Sequence, residues 1–109
     1  MAYQKSAQDQ LRIIRQSCLN RAVELYIADK IMAGKLEVVA EYFVKSIYAE
    51  LELPAGSAFT EKQTQGAIVL QSSLARAVEL CIAGKLETKD IVDNMHLFGK
   101  YVYEGITSE

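Results

Sequence analysis

The strongest constraint on the fold is that the chain repeats itself. Residues 16–28, Gln-Ser-Cys-Leu-Asn-Arg-Ala-Val-Glu-Leu-Tyr-Ile-Ala, return 55 positions later as residues 71–83, Gln-Ser-Ser-Leu-Ala-Arg-Ala-Val-Glu-Leu-Cys-Ile-Ala, with ten of thirteen identical. The same spacing continues without a gap: Phe43 falls on Phe98, Lys45 on Lys100, Ile47 on Val102, Tyr48 on Tyr103 and Leu51 on Ile106. The chain therefore reads as one duplicated unit inside a single domain, 1–109. Repeat one covers about 8–52, a linker 53–59, and repeat two about 60–106.

The spacing of apolar residues predicts what the unit is. Leu11, Ile14, Cys18 and Leu25, with Leu19, Ala22, Val23 and Tyr26, recur at intervals of three and four, the helical period. They predict a first helix from about Gln8 to about Met32, stopped by Gly34. A helix apolar over so wide an arc is expected to sit centrally or to join an oligomer interface. Leu36, Val39, Ala40, Phe43, Val44, Ile47 and Leu51 mark a second helix, antiparallel to the first across a short turn. Pro54 and Gly56 break the chain. Thr60-Glu61-Lys62-Gln63 fits a capping box opening a third helix that ends at Gly84. Gly66 weakens that helix but permits a close backbone approach. Thr88 is the expected cap of a fourth helix, with an inner stripe of Ile91, Met95, Phe98, Val102 and Ile106 and an end at Gly105.

The fold class is thus all-α: an internally duplicated helical hairpin giving a four-helix bundle or a flatter array with pseudo-twofold symmetry. The same apolar faces can pair between two chains instead, so a homodimer is also expected.

Composition narrows the functional classes. Half of the residues are hydrophobic and 24% charged, which is globular rather than disordered. A net charge of −2 gives no bulk attraction for polyanions. No apolar run approaches membrane-spanning length, and the first residues lack the apolar core of a signal peptide, so a cytoplasmic protein with no membrane association is expected. Cys18 and Cys81 do not match one another in the repeat and read as small buried hydrophobes. His96 stands apart from both. There is no glycine-rich phosphate loop, no metal-ligand spacing and no catalytic dyad, so neither a cofactor, a metal nor an enzymatic activity is expected.

Polar residues that the repeat retains are the candidate site: Gln16, Arg21 and Glu24 in one copy and Gln71, Arg76 and Glu79 in the other. They have three readings. They solubilise helix surfaces, or Arg21 and Arg76 reach the opposite unit's Glu79 and Glu24 and fix register. In the third reading they present a doubled surface to a protein partner. A separate basic cluster, Lys5, Arg12 and Arg15, with Arg21 behind it, suggests nucleic-acid binding as the alternative, although repeat two lacks it. Tyr42, Tyr48, Tyr101 and Tyr103 add aromatic contact area on helices two and four.

Arg15 or Leu70, then Gln-x-x-Leu-x-x-Ala-Val-Glu-Leu, then Gly-Lys, then a helix with Phe43 and Tyr48 or Phe98 and Tyr103, covers most of each repeat. The pattern resembles short helical segments in proteins of bacteriophages and other mobile elements, some linked to DNA replication or recombination. It departs from them in having tyrosine where a tryptophan-like aromatic is usual. The resemblance implies a phage-like accessory protein. The function expected is a non-enzymatic helical interaction module, an adaptor or inhibitor that binds a larger protein; the alternative is a nucleic-acid-binding accessory protein.

Overall fold

The computed structural model describes residues 6–105. Its order is α1 (Ala7–Ile27), a 3-10 turn (Ala33–Lys35), α2 (Leu36–Glu50), then α3 (Glu61–Ile82), a second 3-10 turn (Thr88–Asp90) and α4 (Ile91–Glu104). Among the described residues there is no strand. The first two helices form hairpin one and the last two hairpin two, each packed along its length. The molecule measures 45 × 43 × 22 Å. Its middle extent is about twice its thin one, so the flatter array is the form observed.

Local chemistry sets the helix starts. The Ser6 hydroxyl accepts from the Asp9 amide at 3.1 Å, and Asp9 lies in the first turn where the dipole favours an anion. Thr60 and Gln63 form the expected capping box, with bonds of 2.9 and 3.2 Å. Thr88 does not cap α4. It belongs to the preceding 3-10 turn, and Asp90 stands before the helix without a side-chain cap.

The end of α1 also departs from expectation. The helix stops at Ile27 rather than near Gly34, because Asp29 takes a left-handed conformation with φ 60°. Lys30 N–H then donates to the Leu25 carbonyl at 2.8 Å and Asp29 N–H to that of Tyr26 at 3.0 Å, the paired bonds of a Schellman cap. The same pair recurs 55 positions on, from Lys85 to Leu80 and from Gly84 to Cys81, around Gly84 at φ 76°. Ala-Gly-Lys-Leu-Glu at 33–37 and at 83–87 consequently does two jobs, a 3-10 turn in one place and a helix cap in the other.

The core holds Ile14, Cys18, Ala22 and Leu25 from α1 and Ala40, Phe43, Val44, Ile47 and Tyr48 from α2. From hairpin two it takes Ala67, Leu70, Leu74, Ala77, Val78 and Cys81, with Ile91, Val92 and Met95. The segment between the hairpins folds back onto this core. Leu53 and Phe59 pack against it, and the Phe59 ring lies 5.4 Å from that of Tyr48. Gly66 does give the close approach expected: a methyl group there would lie 2.8 Å from Leu51 Cδ2.

Matching positions of the two hairpins are not equally buried. Leu74, Val78 and Cys81 of α3 are at most 1% exposed, whereas Leu19, Val23 and Tyr26 of α1 are 37–42% exposed. The inequality reverses on the other side. Leu25 and Ile47 are fully buried, while Leu80 is 36% and Val102 58% exposed. Phe43 is buried and Phe98 only half so. A twofold axis would cover the same residues in both halves, so the burial pattern does not bear out the pseudo-twofold expected from the sequence. α3 packs on both helices of hairpin one, and the unequal burial fits a head-to-tail relation of the halves, with the ridge of α3 toward the groove of hairpin one. The C-terminal ends of α1 and α3 lie side by side, with Lys30 sharing a depression with Cys81, Gly84 and Lys85.

Candidate functional site

The face of hairpin two that head-to-tail packing leaves uncovered is a groove between α3 and α4. Arg76, Glu79 and Leu80 line it from α3 and Phe98, Tyr101 and Val102 from α4, with Ser72, Ser73 and Ala83 at its edges. Buried Gly99 lets α3 and α4 approach closely, since a methyl there would meet Leu70 Cδ2 at 3.2 Å. The floor is apolar. The rim carries the Arg76–Glu79 ion pair at 3.2 Å, both side chains more than half exposed, an arrangement worth only a few tenths of a kcal/mol in itself.

The structure separates the six expected partner-binding residues. Only Arg76 and Glu79 border the groove. Arg21 and Glu24 make the same ion pair on α1 at 3.1 Å, but Arg21 is more buried than Arg76. Neither arginine reaches the opposite unit's glutamate, so the register reading is not what forms: three residues along one helix is the shorter reach. Exposed Gln16 donates to the Asn20 side chain at 3.1 Å, and half-buried Gln71 to the Ala67 carbonyl. Phe98 and Val102 were expected on the inner stripe of the fourth helix; Phe98 is half-exposed and Val102 exposed, and with Leu80 they form the groove floor. Ile106, expected to continue that stripe, lies outside the described residues.

Of the basic cluster, Lys5 lies outside the described residues. Arg12 sits 3.4 Å from Asp9, and Arg15 3.9 Å from Glu41. With Arg21 beside Glu24, each described cation of the set already faces a carboxylate.

A second cleft runs from the end of α2 across to α3 and α4, lined among others by Glu50, Leu51, Lys62, Gly66, His96 and Tyr103. In it His96 Nδ1 of hairpin two lies 2.8 Å from the Glu50 carboxylate of hairpin one. Both cysteines are free and buried. Burial pushes the Cys18 thiol up to about 12, with Glu41 adding to the shift and Arg21 opposing it. It is thus a packed thiol rather than a nucleophile at neutral pH.

Among the described residues no helix is long and apolar enough to cross a membrane. Comparison with protein-family models, with curated proteins and with solved structures finds no match to this chain.

Proposed function

We propose that the chain is a non-enzymatic helical interaction module, a phage-like adaptor or inhibitor acting in the cytoplasm, whose α3–α4 groove takes an amphipathic helix of a protein partner. The supporting observation is the groove floor of Leu80, Phe98 and Val102, of which Leu80 and Val102 are exposed and Phe98 half-exposed. A helix laid into such a groove buries its apolar stripe there, and aromatic Tyr101 and the charged rim set its orientation. The nucleic-acid alternative would draw on Arg12, Arg15 and Arg21, each beside a carboxylate.

The test is capture of partners by the tagged chain from native lysate, with and without nuclease and across a range of salt. Retention is expected to resist both treatments. It should disappear in Val102→Glu, which puts a charge on the groove floor, and persist in Val38→Glu, at an exposed position of α2 outside the groove. Material that nuclease releases would point to the alternative.

A further inference from the structure

The groove's occupant is written in the molecule. We propose that it is the exposed α1 ridge of a second copy, Leu19, Val23 and Tyr26, so that chains join head to tail. The proposal rests on reading the α3–α4 groove as a protein-binding surface and names what fills it.

The junction between the two hairpins is the template. There Leu74, Val78 and Cys81 form a buried ridge on α3, the groove residues Leu25, Phe43 and Ile47 of hairpin one are buried as well, and α3 packs on both helices of hairpin one. Each residue of that junction has a counterpart 55 positions away that is left exposed or half-exposed. The unused ridge is Leu19, Val23 and Tyr26 on α1, and the unused groove is Leu80, Phe98 and Val102 on hairpin two. Every chain therefore carries one unfilled groove and one unplaced ridge of the kinds that already fit each other inside it. The rim matches as well. Arg76 and Glu79 pair at the open groove as Arg21 and Glu24 pair at the filled one.

Divergence between the halves argues that these faces are used. Across α2 and the matching residues 91–105 only Phe43/Phe98, Lys45/Lys100 and Tyr48/Tyr103 are unchanged, and other positions have crossed from charged to apolar or back, as in Glu37/Val92 and Val38/Asp93. Through that drift the groove positions Phe43/Phe98 and Ile47/Val102 stayed apolar in both halves, including the half in which the monomer leaves them partly or largely exposed. Large apolar patches left open on a monomer mark interaction sites. A junction between unlike faces does not close on itself as a twofold dimer does, so repeated addition gives a ring or an open filament.

Sedimentation from micromolar to millimolar concentration tests this, with far-UV circular dichroism confirming that each variant folds. The wild-type chain is expected to exceed its monomer mass of 12.1 kDa as concentration rises and to pass beyond a dimer. Val23→Glu, which spoils the ridge, and Val102→Glu, which spoils the groove, should each remain monomeric. Mixed in equal amounts they should form a one-to-one pair and stop, since the mixture holds one intact ridge and one intact groove. A mixture that does not pair overturns the proposal, and so does a wild-type species that never grows beyond a dimer. A monomeric wild-type chain whose lysate capture is still abolished by Val102→Glu overturns the self-assembly and leaves the groove reading standing. If Val102→Glu changes neither self-association nor capture, both readings fall.

Discussion

Four leucines test the head-to-tail packing directly. Leu25 and Leu80 match in the repeat, as do Leu19 and Leu74. Leu25 and Leu74 are fully buried, whereas Leu80 is 36% and Leu19 37% exposed. Truncating a fully buried leucine to alanine removes its transfer free energy and leaves a cavity, at a cost of about 2.7–5 kcal/mol. At a position more than one-third exposed no closed cavity forms and only part of a transfer term of roughly 1.5–3 kcal/mol is lost, or about 1 kcal/mol. The costs should therefore cross: Leu25→Ala high and Leu19→Ala low in hairpin one, Leu74→Ala high and Leu80→Ala low in hairpin two. Urea unfolding followed by circular dichroism reads this. With a slope of roughly 1–3 kcal/mol/M, the buried pair should lose about 1–5 M in midpoint and the exposed pair about a third of that or less. The chain is kept dilute so that Leu19 and Leu80 stay uncovered. Equal costs for Leu25→Ala and Leu80→Ala would mean that both grooves are filled alike, and the head-to-tail assignment would be wrong.

Three further outcomes follow from local geometry. Thr60→Ala removes one arm of the capping box and should lower stability by about 1 kcal/mol in the same urea assay. Asp29 and Gly84 hold the same left-handed cap position, so Asp29→Gly should raise the melting temperature and Gly84→Ala should lower it by several degrees, for changes on the order of 1 kcal/mol; shifts of the same sign would refute the shared cap. Burial holds the Cys18 thiol protonated up to about 12, while in the unfolded chain it ionises near the ordinary value of 9.0. Stability is complete below pH 9 and falls as pH rises toward 12, because the unfolded state alone releases the proton. The stability advantage of wild type over Cys18→Ala should narrow over that interval by up to about 4 kcal/mol, and an advantage independent of pH would contradict the burial.

What was legible in the sequence is what neighbours in the chain decide. The capping box at Thr60 involves only four consecutive residues, and the periodicity of Leu36 to Ile47 needs no partner to be seen. The end of α1 was harder, because Gly34 advertises a stop more loudly than Asp29, which achieves one with its side chain in place. The groove was not legible at all. Leu80 and Leu25 are the same residue in the same local setting, so nothing near them says which is covered. That depends on which of two apolar faces the other hairpin chooses. The retained Arg76 and Glu79 border the groove, but Arg21 and Glu24, retained equally, do not.

The choice between those faces is a question of magnitude. With the C-terminal ends of α1 and α3 close together, their dipoles oppose close packing. That term is about 0.3–1 kcal/mol at exposed helix ends and less in salt. An antiparallel arrangement of the halves would remove it. Against it stand Leu74, Val78 and Cys81 on one side and Leu25, Phe43 and Ile47 on the other, all essentially withdrawn from water, at roughly 1.5–3 kcal/mol for each large apolar side chain. Side-chain fit between a ridge and a groove exceeds the dipole term several-fold, and it is directional: a ridge of one half needs the groove of the other. Once that fit sets the arrangement, symmetry cannot finish the job within one chain. One ridge and one groove remain over, carried by Leu19 and Val23 at one end of the array and by Phe98 and Val102 at the other.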